Sequence, residues 1–408
     1  MSVWQTTLIG AAAKGAQKNL RPALPDQAVY LDSPILTALR QIEPFYRDGM
    51  FDAKLTPLLL RQRALVRLQS LGQPMPHGIR VERITSSHPE LAPGAVVFYP
   101  FNSQSNMNAV TNRSAKHVLT LHGESHKHAS MRPAARLYDY VCIAGPLARD
   151  RYLRAGIFSH DDVDGGRLVM MGDSFVQSLP WAKASVEGAL LYCPTWEGYG
   201  QKQNNYSSLA DMRGFETSAK VARAAKIAKI LIKPHPYLGL LKPGLLRNFI
   251  KGAKWLRREG FEIHLVIHDS SPVLRQLCHV ALAGMVRHLP DADNPVAVKL
   301  GLCDVSGMEA VFLKEGIAHM VMGNKHEMPA QLDDIYRVKA LHPGDDVARK
   351  LQNYIEHAPA IDQAHRNHAF GWHDENLSRM KGSARRDWLL EYVRKDPHWK
   401  GGSPAPGL

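Results

Sequence analysis

The sequence predicts an α/β protein with two Rossmann-like halves, each a parallel sheet covered by helices. The first observation is the length: 408 residues exceed what one compact core usually holds, so two domains are expected. The second is the recurrence of apolar, β-branched runs of strand length, many separated by helical stretches, which is typical of parallel sheets buried on both faces. These runs cover residues 94–101, 116–123, 138–145, 166–173, 188–196, 229–236, 261–269 and 317–323.

The third observation is a break in this alternation near the middle of the chain. Residues 174–188 contain Pro180 and several polar side chains, so we place the boundary between the two halves there. We expect the chain to begin with a helical preface and to end in a flexible tail. The predicted organisation is residues 1–60 as the preface, 61–180 and 181–345 as the two Rossmann-like domains, 346–400 as helices packing back on the domains, and 401–408 as the tail.

Two segments predict basic amphipathic helices. In the first, residues 57–72, Thr56 is the expected N-cap and Pro57 the first helical residue. In the second, residues 243–260, basic side chains form a stripe beside the apolar face. A solvated outer helix and a helix that contacts an anionic membrane share this pattern, so both alternatives stay open. The apolar face of the second helix comprises Leu245, Phe249 and Leu256, and its basic stripe comprises Arg247, Lys251, Lys254 and Arg258.

Composition indicates a globular protein that is soluble or peripheral to a membrane. Hydrophobic residues make up 45% of the chain, and the longest apolar runs are far shorter than the roughly 20 residues that span a bilayer. We expect no secretion signal, because the N-terminal segment lacks a basic region followed by an uninterrupted apolar one. The four cysteines lie far apart, which argues against a zinc site or a disulfide framework and fits a reducing cytosol. They are Cys142, Cys193, Cys278 and Cys303.

The charge balance predicts a surface that attracts polyanions. Lys and Arg number 51 against 38 Asp and Glu, a formal net charge of +13. Nucleic acid, anionic lipid and a phosphate-rich substrate all fit this charge. No nucleic-acid partner is expected, because the sequence has no arginine-rich arm, aromatic RNA platform or zinc finger.

The stretch "VLTLHGESHK" (118–127) joins a predicted buried strand to several protonatable side chains. His122 and His126 are four residues apart, but Gly123 stands where a zincin needs Glu, so the spacing excludes that metal site. Gly123 permits a sharp turn or a close ligand approach where the strand ends. His122 at the rim of the sheet is placed to act as a general base. A hydrogen-bonded structural histidine is the alternative.

The stretch "LIKPHP" (231–236) predicts a rigid loop at the end of another strand. Pro234 and Pro236 restrict the backbone on both sides of His235, which therefore loses little entropy when it is held in place. Lys233 adds a cation nearby. A rigid loop that presents His and Lys suits an anionic group, although a structural turn would contain the same prolines.

The stretch "CDVSGMEAVFLKEG" (303–316) predicts a strand followed by a helix that Ser306 caps. The free N–H groups of a helix N-terminus, a hydroxyl and the adjacent Gly307 form a favourable phosphate site. An ordinary N-cap without a ligand is the alternative. A fourth stretch, residues 190–209, leads from a strand into a polar loop that suits ligand hydroxyls or phosphates, or is a surface connection.

These four stretches, in this order, resemble the motifs of the CDP-glycerol glycerophosphotransferase family, which includes teichoic-acid primases, teichoic-acid polymerases and related capsule polymerases. The matching segments are "LHGESHK", "YCPTWEG" followed by "YSSL", "IKPHP" and "CDVSGMEAVF". The resemblance covers roughly residues 95–330, with a weaker match at residues 370–386. The chain departs from the usual motifs at Leu121, at Ser125 with His126, and at Gly307.

The resemblance implies a GT-B-like architecture, in which the two Rossmann-like domains face each other across a cleft. It also implies an acceptor site in residues 61–180 and a CDP-donor site in residues 181–345. The implied reaction moves a polyol phosphate, glycerol phosphate first among the candidates, from a CDP-activated donor to an acceptor hydroxyl and releases CMP. This reaction belongs to the synthesis of teichoic-acid-like or capsule polymers.

The resemblance also assigns roles to individual residues. His122 resembles the general base, Lys127 matches the lysine five residues after it, and His235 and Ser306 match residues that bind the donor phosphates. From the residues themselves we also expect His235 to take part in catalysis, Lys233 and Gly307 to lie at the donor phosphates, and Gly123 and Glu124 to lie with Lys127 on the acceptor side of the cleft. Other candidates within the motifs are Asp304, Glu309, Thr195, Ser207 and Ser208.

The chemistry of these residues agrees with such a transfer. An alkyl hydroxyl is a poor nucleophile at neutral pH, so His122 takes its proton as it attacks phosphorus, while His235, Lys233 and the N–H groups at Ser306 stabilise the departing CMP. No acidic cluster predicts an obligatory metal, and no cofactor is expected. The expected partners are a CDP-activated polyol donor, a lipid-linked or polymeric acceptor and an anionic membrane surface. The expected location is the cytoplasm, with peripheral contact to the inner face of the cell membrane.

Two other functions stay open at this stage. A GT-B glycosyltransferase that uses a nucleotide sugar for surface polysaccharide synthesis would need the same two-domain frame. A polyanion-binding protein without catalysis would need only the basic helices. Turnover with nucleotide sugars alone would identify the glycosyltransferase. The absence of turnover would favour the polyanion-binding protein.

Overall fold

The computed structural model describes the chain from residue 24 to residue 396, with short gaps. The described residues are 24–32, 38–70, 78–86, 89–126, 132–197, 206–239, 241–267, 270, 272–286, 293–324 and 328–396. Lys127 and the predicted tail over residues 401–408 lie outside them.

The first half contains a seven-stranded sheet in the order β3-β2-β1-β4-β5-β6-β7, with all neighbouring strands parallel. Its strands are β1 (Gln27–Leu31), β2 (Leu58–Arg61), β3 (Val81–Ile84), β4 (Val96–Tyr99), β5 (Lys116–Leu119), β6 (Tyr140–Ile143) and β7 (Leu168–Met170). Its helices are α1 (Ala38–Arg47), α2 (Gln62–Ser70), α3 (Met107–Val110), α4 (Pro146–Arg154) and α5 (His160–Asp164). Every residue of β1, β4, β5 and β6 is buried, because helices cover both faces of the sheet.

The second half contains a six-stranded parallel sheet in the order β10-β9-β8-β11-β12-β13. Its strands are β8 (Ala182–Cys193), β9 (Lys229–Ile232), β10 (Glu262–Leu265), β11 (Val296–Asp304), β12 (His319–Met322) and β13 (Ala340–Leu341). The helices that follow β8 are α6 (Arg213–Ala224), α7 (Pro243–Arg258), α8 (Pro272–Ala281), α9 (Met308–Glu315), α10 (Asp333–Lys339), α11 (Val347–Ala369) and α12 (Gly382–Arg394).

Both sheets have the strand order of Rossmann-type folds. Numbered within its own half, the second sheet runs 3-2-1-4-5-6, and the first sheet has the same order with one further strand at its edge. The order reverses between β1 and β4 in the first sheet and between β8 and β11 in the second. Ligands of such sheets bind outside the carboxyl ends of the strands at this reversal. The prediction of an α/β protein with two Rossmann-like domains is confirmed.

The prediction of a helical preface over residues 1–60 is wrong for its described part, which contains β1 and most of β2 besides α1. β1 lies in the middle of the first sheet, where Val29 is paired with Leu58 on one side and with Phe98 on the other. A five-residue apolar run cannot be assigned to a helix or a strand by its periodicity. The partner strands on both sides decide the conformation of this run.

The helix predicted over residues 57–72 begins later, at Gln62. Residues before it form β2, whose Leu58, Leu59 and Leu60 are all buried. Three consecutive leucines suit a strand covered on both faces better than an amphipathic helix, which would expose one of them. By contrast, α7 forms as predicted, with its apolar face buried and its basic stripe exposed.

The C-terminal segment returns to the first half. The backbone N–H of Gly371 donates to the carbonyl of Ala144 at 2.8 Å, and the N–H of Gly172 donates to the carbonyl of Gly371 at 2.8 Å. Beyond this crossing, Leu389 and Val393 of α12 pack into the core of the first sheet. Among the described helices, none is both long enough and apolar enough to span a bilayer.

Candidate functional site

The residues singled out in the sequence lie at the carboxyl ends of parallel strands. His122 follows β5, and Thr195, His235 and Ser306 follow β8, β9 and β11, which are neighbours in the second sheet. Adjacent strands are separated by about 4.8 Å, so the ends of the latter three strands lie close to one another. This edge includes the reversal of strand order between β8 and β11.

His122 has a defined tautomer. Its Nδ1 lies 2.8 Å from the carbonyl oxygen of Pro100, which only accepts hydrogen bonds, so Nδ1 carries the proton and Nε2 is left as an acceptor. The ring packs against Phe101 with a centroid distance of 4.3 Å. Burial lowers the pKa of His122, an effect that the bond to Pro100 partly offsets. The side chain is therefore neutral and able to accept a proton at pH 7.

The backbone turns sharply around His122. Leu121 adopts φ +60° and Gly123 adopts φ +154°, and the second value is in a region that favours glycine. The expected turn at Gly123 is therefore present. It leads the chain out of β5 and toward the second half of the molecule.

The next residues bring the two halves into contact. A Cβ atom placed on Gly307 would lie 3.2 Å from the carbonyl oxygen of Glu124. The Glu124 carboxylate is buried, accepts a hydrogen bond from the N–H of Ser125 at 3.0 Å and forms an ion pair with Arg151 of α4. The loop after β5 thus rests on the start of α9, so the carboxyl edges of the two sheets face each other.

Asp304, at the end of β11, organises the loop that follows β8. Its Oδ2 accepts hydrogen bonds from the N–H of Thr195 at 2.7 Å and from the N–H of Ser208 at 3.2 Å. The hydroxyl of Ser207 donates to the carbonyl of Thr195 at 2.8 Å, and the hydroxyl of Ser208 bonds with that of Tyr192 at 2.7 Å. These contacts hold the loop after β8 at the same edge of the sheet as His235 and Ser306.

His235 is held by two aromatic rings and by its own loop. It stacks on Trp196 with ring centroids 5.4 Å apart and an interplanar angle of 12°. Its Nδ1 accepts a hydrogen bond from the N–H of Tyr237 at 3.1 Å, so Nε2 carries the proton of the neutral ring. Lys233 is half-buried two residues earlier, and its N–H donates to the carbonyl of Tyr192 at 2.9 Å. The geometry gives His235 an N–H donor that suits an anionic ligand.

Ser306 does not occupy the N-cap position that the sequence predicts for it. The helix α9 begins at Met308, and Gly307 is its N-cap, with φ −62°. The Ser306 hydroxyl still accepts a hydrogen bond from the N–H of Met308 at 3.3 Å. Ser306 therefore bonds to the first turn of α9 from the position before the N-cap, because the backbone is already helical at Gly307.

A cavity lies between the two halves at this point. Its volume is about 10 Å³, roughly the space for one water molecule. The side chains that line the cavity include Ser125, His126, Arg151, Ser306, Glu309 and His365.

Glu309, in the first turn of α9, lies beside two histidines from other segments. Its carboxylate oxygens are 3.8 Å from Nε2 of His126 and 3.7 Å from Nε2 of His365. The hydroxyl of Tyr336 donates to both oxygens, at 2.8 and 3.0 Å. Burial raises the pKa of Glu309 to about 7. Burial, with Arg151 and Arg154 nearby, lowers the pKa of His126 to about 3.

This cluster has the donor atoms of a transition-metal site. One ligand atom from each of His126, Glu309 and His365 lies within 4.8 Å of the other two, and two imidazoles with a carboxylate suit Zn²⁺. A metal on Nε2 of His365 requires the proton on Nδ1, which usually donates to a carboxylate or a carbonyl. A metal ion on Nε2 of His365 is therefore favoured only if the hydrogen-bond partner of its Nδ1 is an acceptor.

The hydrogen-bond partner of Nδ1 of His365 is Lys339, whose ammonium group donates hydrogen bonds and accepts none. Its Nζ lies 3.3 Å from Nδ1 of His365, 2.9 Å from Asp362 Oδ1 and 2.9 Å from Nε2 of His319. His319 donates through Nδ1 to the carbonyl of Ile317 at 3.0 Å, so its Nε2 accepts from Lys339. Asp362 favours the ammonium form, whose third proton goes to His365. The hydrogen bonding therefore favours a proton, not a metal ion, on Nε2 of His365.

Sequence reasoning missed Arg151, Tyr336, Lys339 and His365 as parts of this site. They lie on α4, α10 and α11, in no motif, and their spacing to Glu309 carries no periodic signal. Glu124 and His126, which lie just after His122 on the same loop, contact Gly307 and Glu309 of the second half. His122 and His235 themselves pack on aromatic rings of their own halves.

Comparisons with known proteins give a likeness of fold. No protein-family model matches the sequence, and no curated protein matches it. The solved structures that resemble it include an O-GlcNAc transferase mutant of Thermobaculum terrenum, with 13% identity, 92% of this chain and 68% of that chain covered, and a TM-score of 0.40. Anabaena HepE in complex with UDP and glucose has 10% identity, coverage of 91% and 99%, and a TM-score of 0.45.

A third structure is that of Staphylococcus aureus MnaA with UDP. It has 9% identity, coverage of 93% of this chain and 98% of that chain, and a TM-score of 0.42. At such low identity, these matches concern the fold. The assignment of two Rossmann-like domains rests on the strand order of this chain.

Proposed function

We propose that the protein is a transferase that moves a group from a nucleotide-activated donor to an acceptor hydroxyl. The observation that carries the proposal is the hydrogen bond from Nδ1 of His122 to the carbonyl of Pro100. It leaves a neutral Nε2 as a proton acceptor at the carboxyl edge of the first sheet. The donor phosphates bind at the facing edge of the second sheet, near His235 and Ser306.

The donor we favour is a CDP-activated polyol phosphate, with glycerol phosphate first. The acceptor oxygen attacks the phosphorus that carries the polyol, and its proton passes to Nε2 of His122. A new O–P bond forms as the bond from that phosphorus to the bridging oxygen breaks, and CMP leaves with the electron pair. His235 Nε2–H, Lys233 and the N–H groups at the start of α9 stabilise the charge on the leaving phosphate. The order of the four motifs supports this donor.

A nucleotide sugar is the second candidate donor. The acceptor oxygen would then attack the anomeric carbon, and a nucleoside diphosphate would leave from the same phosphate site. The proton acceptor and the phosphate-binding groups are unchanged in this alternative. HepE and MnaA are both in complex with UDP, and UDP-sugars are included in the donor screen.

The proposed setting is the cytoplasm, with a lipid-linked or polymeric acceptor at the inner face of the cell membrane. Four exposed basic side chains on one helix support contact with an anionic surface. They are Arg247, Lys251, Lys254 and Arg258 of α7. The wider role is the synthesis of a teichoic-acid-like or capsule polymer.

The test is a donor screen with the purified full chain. CDP-glycerol, CDP-ribitol, UDP-glucose and UDP-N-acetylglucosamine are each incubated with oligomeric and lipid-linked acceptors, and the released nucleotide is measured. CMP release from a CDP-polyol supports the favoured donor, and UDP release only from the sugars replaces it with the second one. If no donor is turned over with any acceptor, the transferase proposal fails.

A further inference from the structure

Arg151 is a buried arginine with unused hydrogen-bond donors. Its side chain is 7% exposed, and its Nη2 donates to the carboxylate of Glu124. Its Nε and Nη1 atoms are buried without a hydrogen-bond partner among the residues that the structure describes. Burying such charged donors without an acceptor is unfavourable, because their hydration is lost and no hydrogen bond replaces it. A ligand that accepts these bonds would remove the penalty.

The position of Arg151 shows which groups would share such a ligand. Arg151 lies on α4 of the first half and lines the small cavity together with Ser306 and the first turn of α9. The helix α9 has eight residues and starts at this cavity. Its N-terminal N–H groups carry partial positive charge. An arginine from one domain and a helix N-terminus from the other therefore adjoin the same space.

The charges around Arg151 favour an anion over a cation. Guanidinium groups donate hydrogen bonds and accept none. Arg154 lies near enough to act, with Arg151, on His126. The two nearby carboxylates already have donors, since Glu124 is bound by Arg151 and Glu309 by Tyr336. Within the described part of the chain, neither carboxylate accepts a hydrogen bond from Nε or Nη1 of Arg151.

We infer that Arg151 is a phosphate-binding residue, through which the first domain contacts the diphosphate that the second domain holds. This inference rests on the proposed function, because it assigns Arg151 to the donor diphosphate. The cavity of about 10 Å³ is too small for a phosphate group, so the diphosphate enters while the halves are apart. The domains then close around it, with Arg151 and the start of α9 on opposite sides. Closure of the cleft is thereby coupled to the presence of the diphosphate.

The experiment measures binding of inorganic pyrophosphate by calorimetry, at low ionic strength and with EDTA present. Arg151→Gln removes the charge and leaves two N–H donors of five, so we expect the affinity for pyrophosphate to fall at least about tenfold, as for loss of a hydrogen bond to a charged group. Arg151→Lys retains the charge but lacks the planar, forked guanidinium, so we expect its affinity for pyrophosphate to lie between those of the wild type and Arg151→Gln. The control is Arg149→Gln on the same helix, whose side chain is 35% exposed and pairs with Asp150, and we expect its affinity to stay within about twofold.

A second variant guards against loss of folding. Arg151→Gln leaves Glu124 buried without its ion-pair partner, whereas Arg151→Gln combined with Glu124→Gln removes both charges. The folded state of each variant is checked by circular dichroism and thermal unfolding. Unchanged pyrophosphate affinity in a folded variant would overturn the inference. So would a wild-type chain that binds none of pyrophosphate, CDP or UDP.

These results are separable from failure of the proposed function. A wild-type chain that binds pyrophosphate through Arg151 but turns over no donor would refute the transferase and keep the anion site. A chain that turns over a donor while Arg151→Gln leaves pyrophosphate affinity unchanged would keep the transferase and refute the role of Arg151.

Discussion

The carboxylate of Asp304 accepts a hydrogen bond of 2.7 Å from the backbone N–H of Thr195. The two residues are far apart in the sequence but adjacent in the fold. Asp304 ends β11 and Thr195 follows β8, and these two strands are parallel neighbours whose carboxyl ends lie side by side. The same oxygen accepts a second bond from the N–H of Ser208, at 3.2 Å. One buried acidic side chain thus ties together two of the motifs that the sequence presents separately.

Asp304→Ala should destabilise the protein strongly. The two backbone N–H groups would lose their acceptor, and each unsatisfied buried donor costs about 1–3 kcal/mol. We expect the free energy of unfolding in urea to fall by roughly 2–6 kcal/mol. Asp211→Ala, at an exposed ion pair, is the control and should change stability by less than about 1 kcal/mol. A similar, small effect of both substitutions would show that Asp304 does not organise the loop.

His122→Asn should abolish most of the turnover without weakening donor binding. Asparagine can still donate to the carbonyl of Pro100, but it cannot accept the proton of the acceptor hydroxyl. Positioned general bases contribute about 10²–10⁴ in rate, so we expect kcat to fall by that factor while the Kd of the donor stays unchanged. His357→Asn, on the exposed side of α11, is the matched control. Full activity of His122→Asn would remove the proposed base.

The pH profile of kcat/KM should reflect the burial of His122. Burial lowers the pKa of its imidazole below the ordinary value of 6.5. The neutral form is the proton acceptor, so a lowered pKa keeps the base active to more acidic pH. We expect the acidic limb of the profile to have its midpoint below pH 6.5. A midpoint above this value would indicate that another group limits the rate.

Glu309→Gln should flatten the dependence of stability on pH. Burial raises the pKa of Glu309 from 4.5 to about 7, so between these values the folded chain binds a proton that the unfolded chain has lost. The contribution of this proton to stability is full below pH 4.5 and is lost as the pH rises to about 7. The loss is at most roughly 3 kcal/mol.

The glutamine in this variant cannot ionise and can still accept the hydrogen bond of Tyr336. Urea unfolding at several pH values therefore checks the prediction. The wild-type free energy of unfolding should decline relative to that of Glu309→Gln across this interval. Parallel curves for the two proteins would contradict the raised pKa.

Gly145→Ala should loosen the attachment of the C-terminal segment. A Cβ atom at Gly145 would lie 2.5 Å from the backbone N of Gly371 and 2.7 Å from the carbonyl oxygen of Ala369. Backbone atoms cannot rotate away as side chains can, so the crossing must shift, at a cost of about 1–3 kcal/mol. We expect a lower Tm and faster proteolysis after α11.

Gly244→Ala is the control for this substitution, because a Cβ atom there meets nothing within 4 Å. It should leave the Tm unchanged or raise it slightly, since alanine favours a helix more than glycine does. If the Tm and the rate of proteolysis were the same in both variants, the contact between the segment at Gly371 and the first half would tolerate displacement.

The positions of the predicted site residues at strand ends followed from local sequence. His122, His235 and Ser306 each follow an apolar run that ends in a Gly- or Pro-containing turn, a pattern that depends on neighbouring residues alone. Arg151 and His365 had no such signal, because both lie within helices that show no motif. Their place in the site results from how α4 and α11 pack at the boundary between the halves.

The sequence by itself determined the alternation of strands and helices, the two parallel sheets and the edge at which the motif residues lie. These follow from periodic burial, which is a local property of the chain. The tertiary structure alone decided that Leu58–Leu60 pair as a strand and that Glu309 lies between His126 and His365. It also decided that Arg151 is buried beside the start of α9. Contacts between distant segments depend on pairing, burial and the dielectric environment, and these properties arise only when the two halves come together.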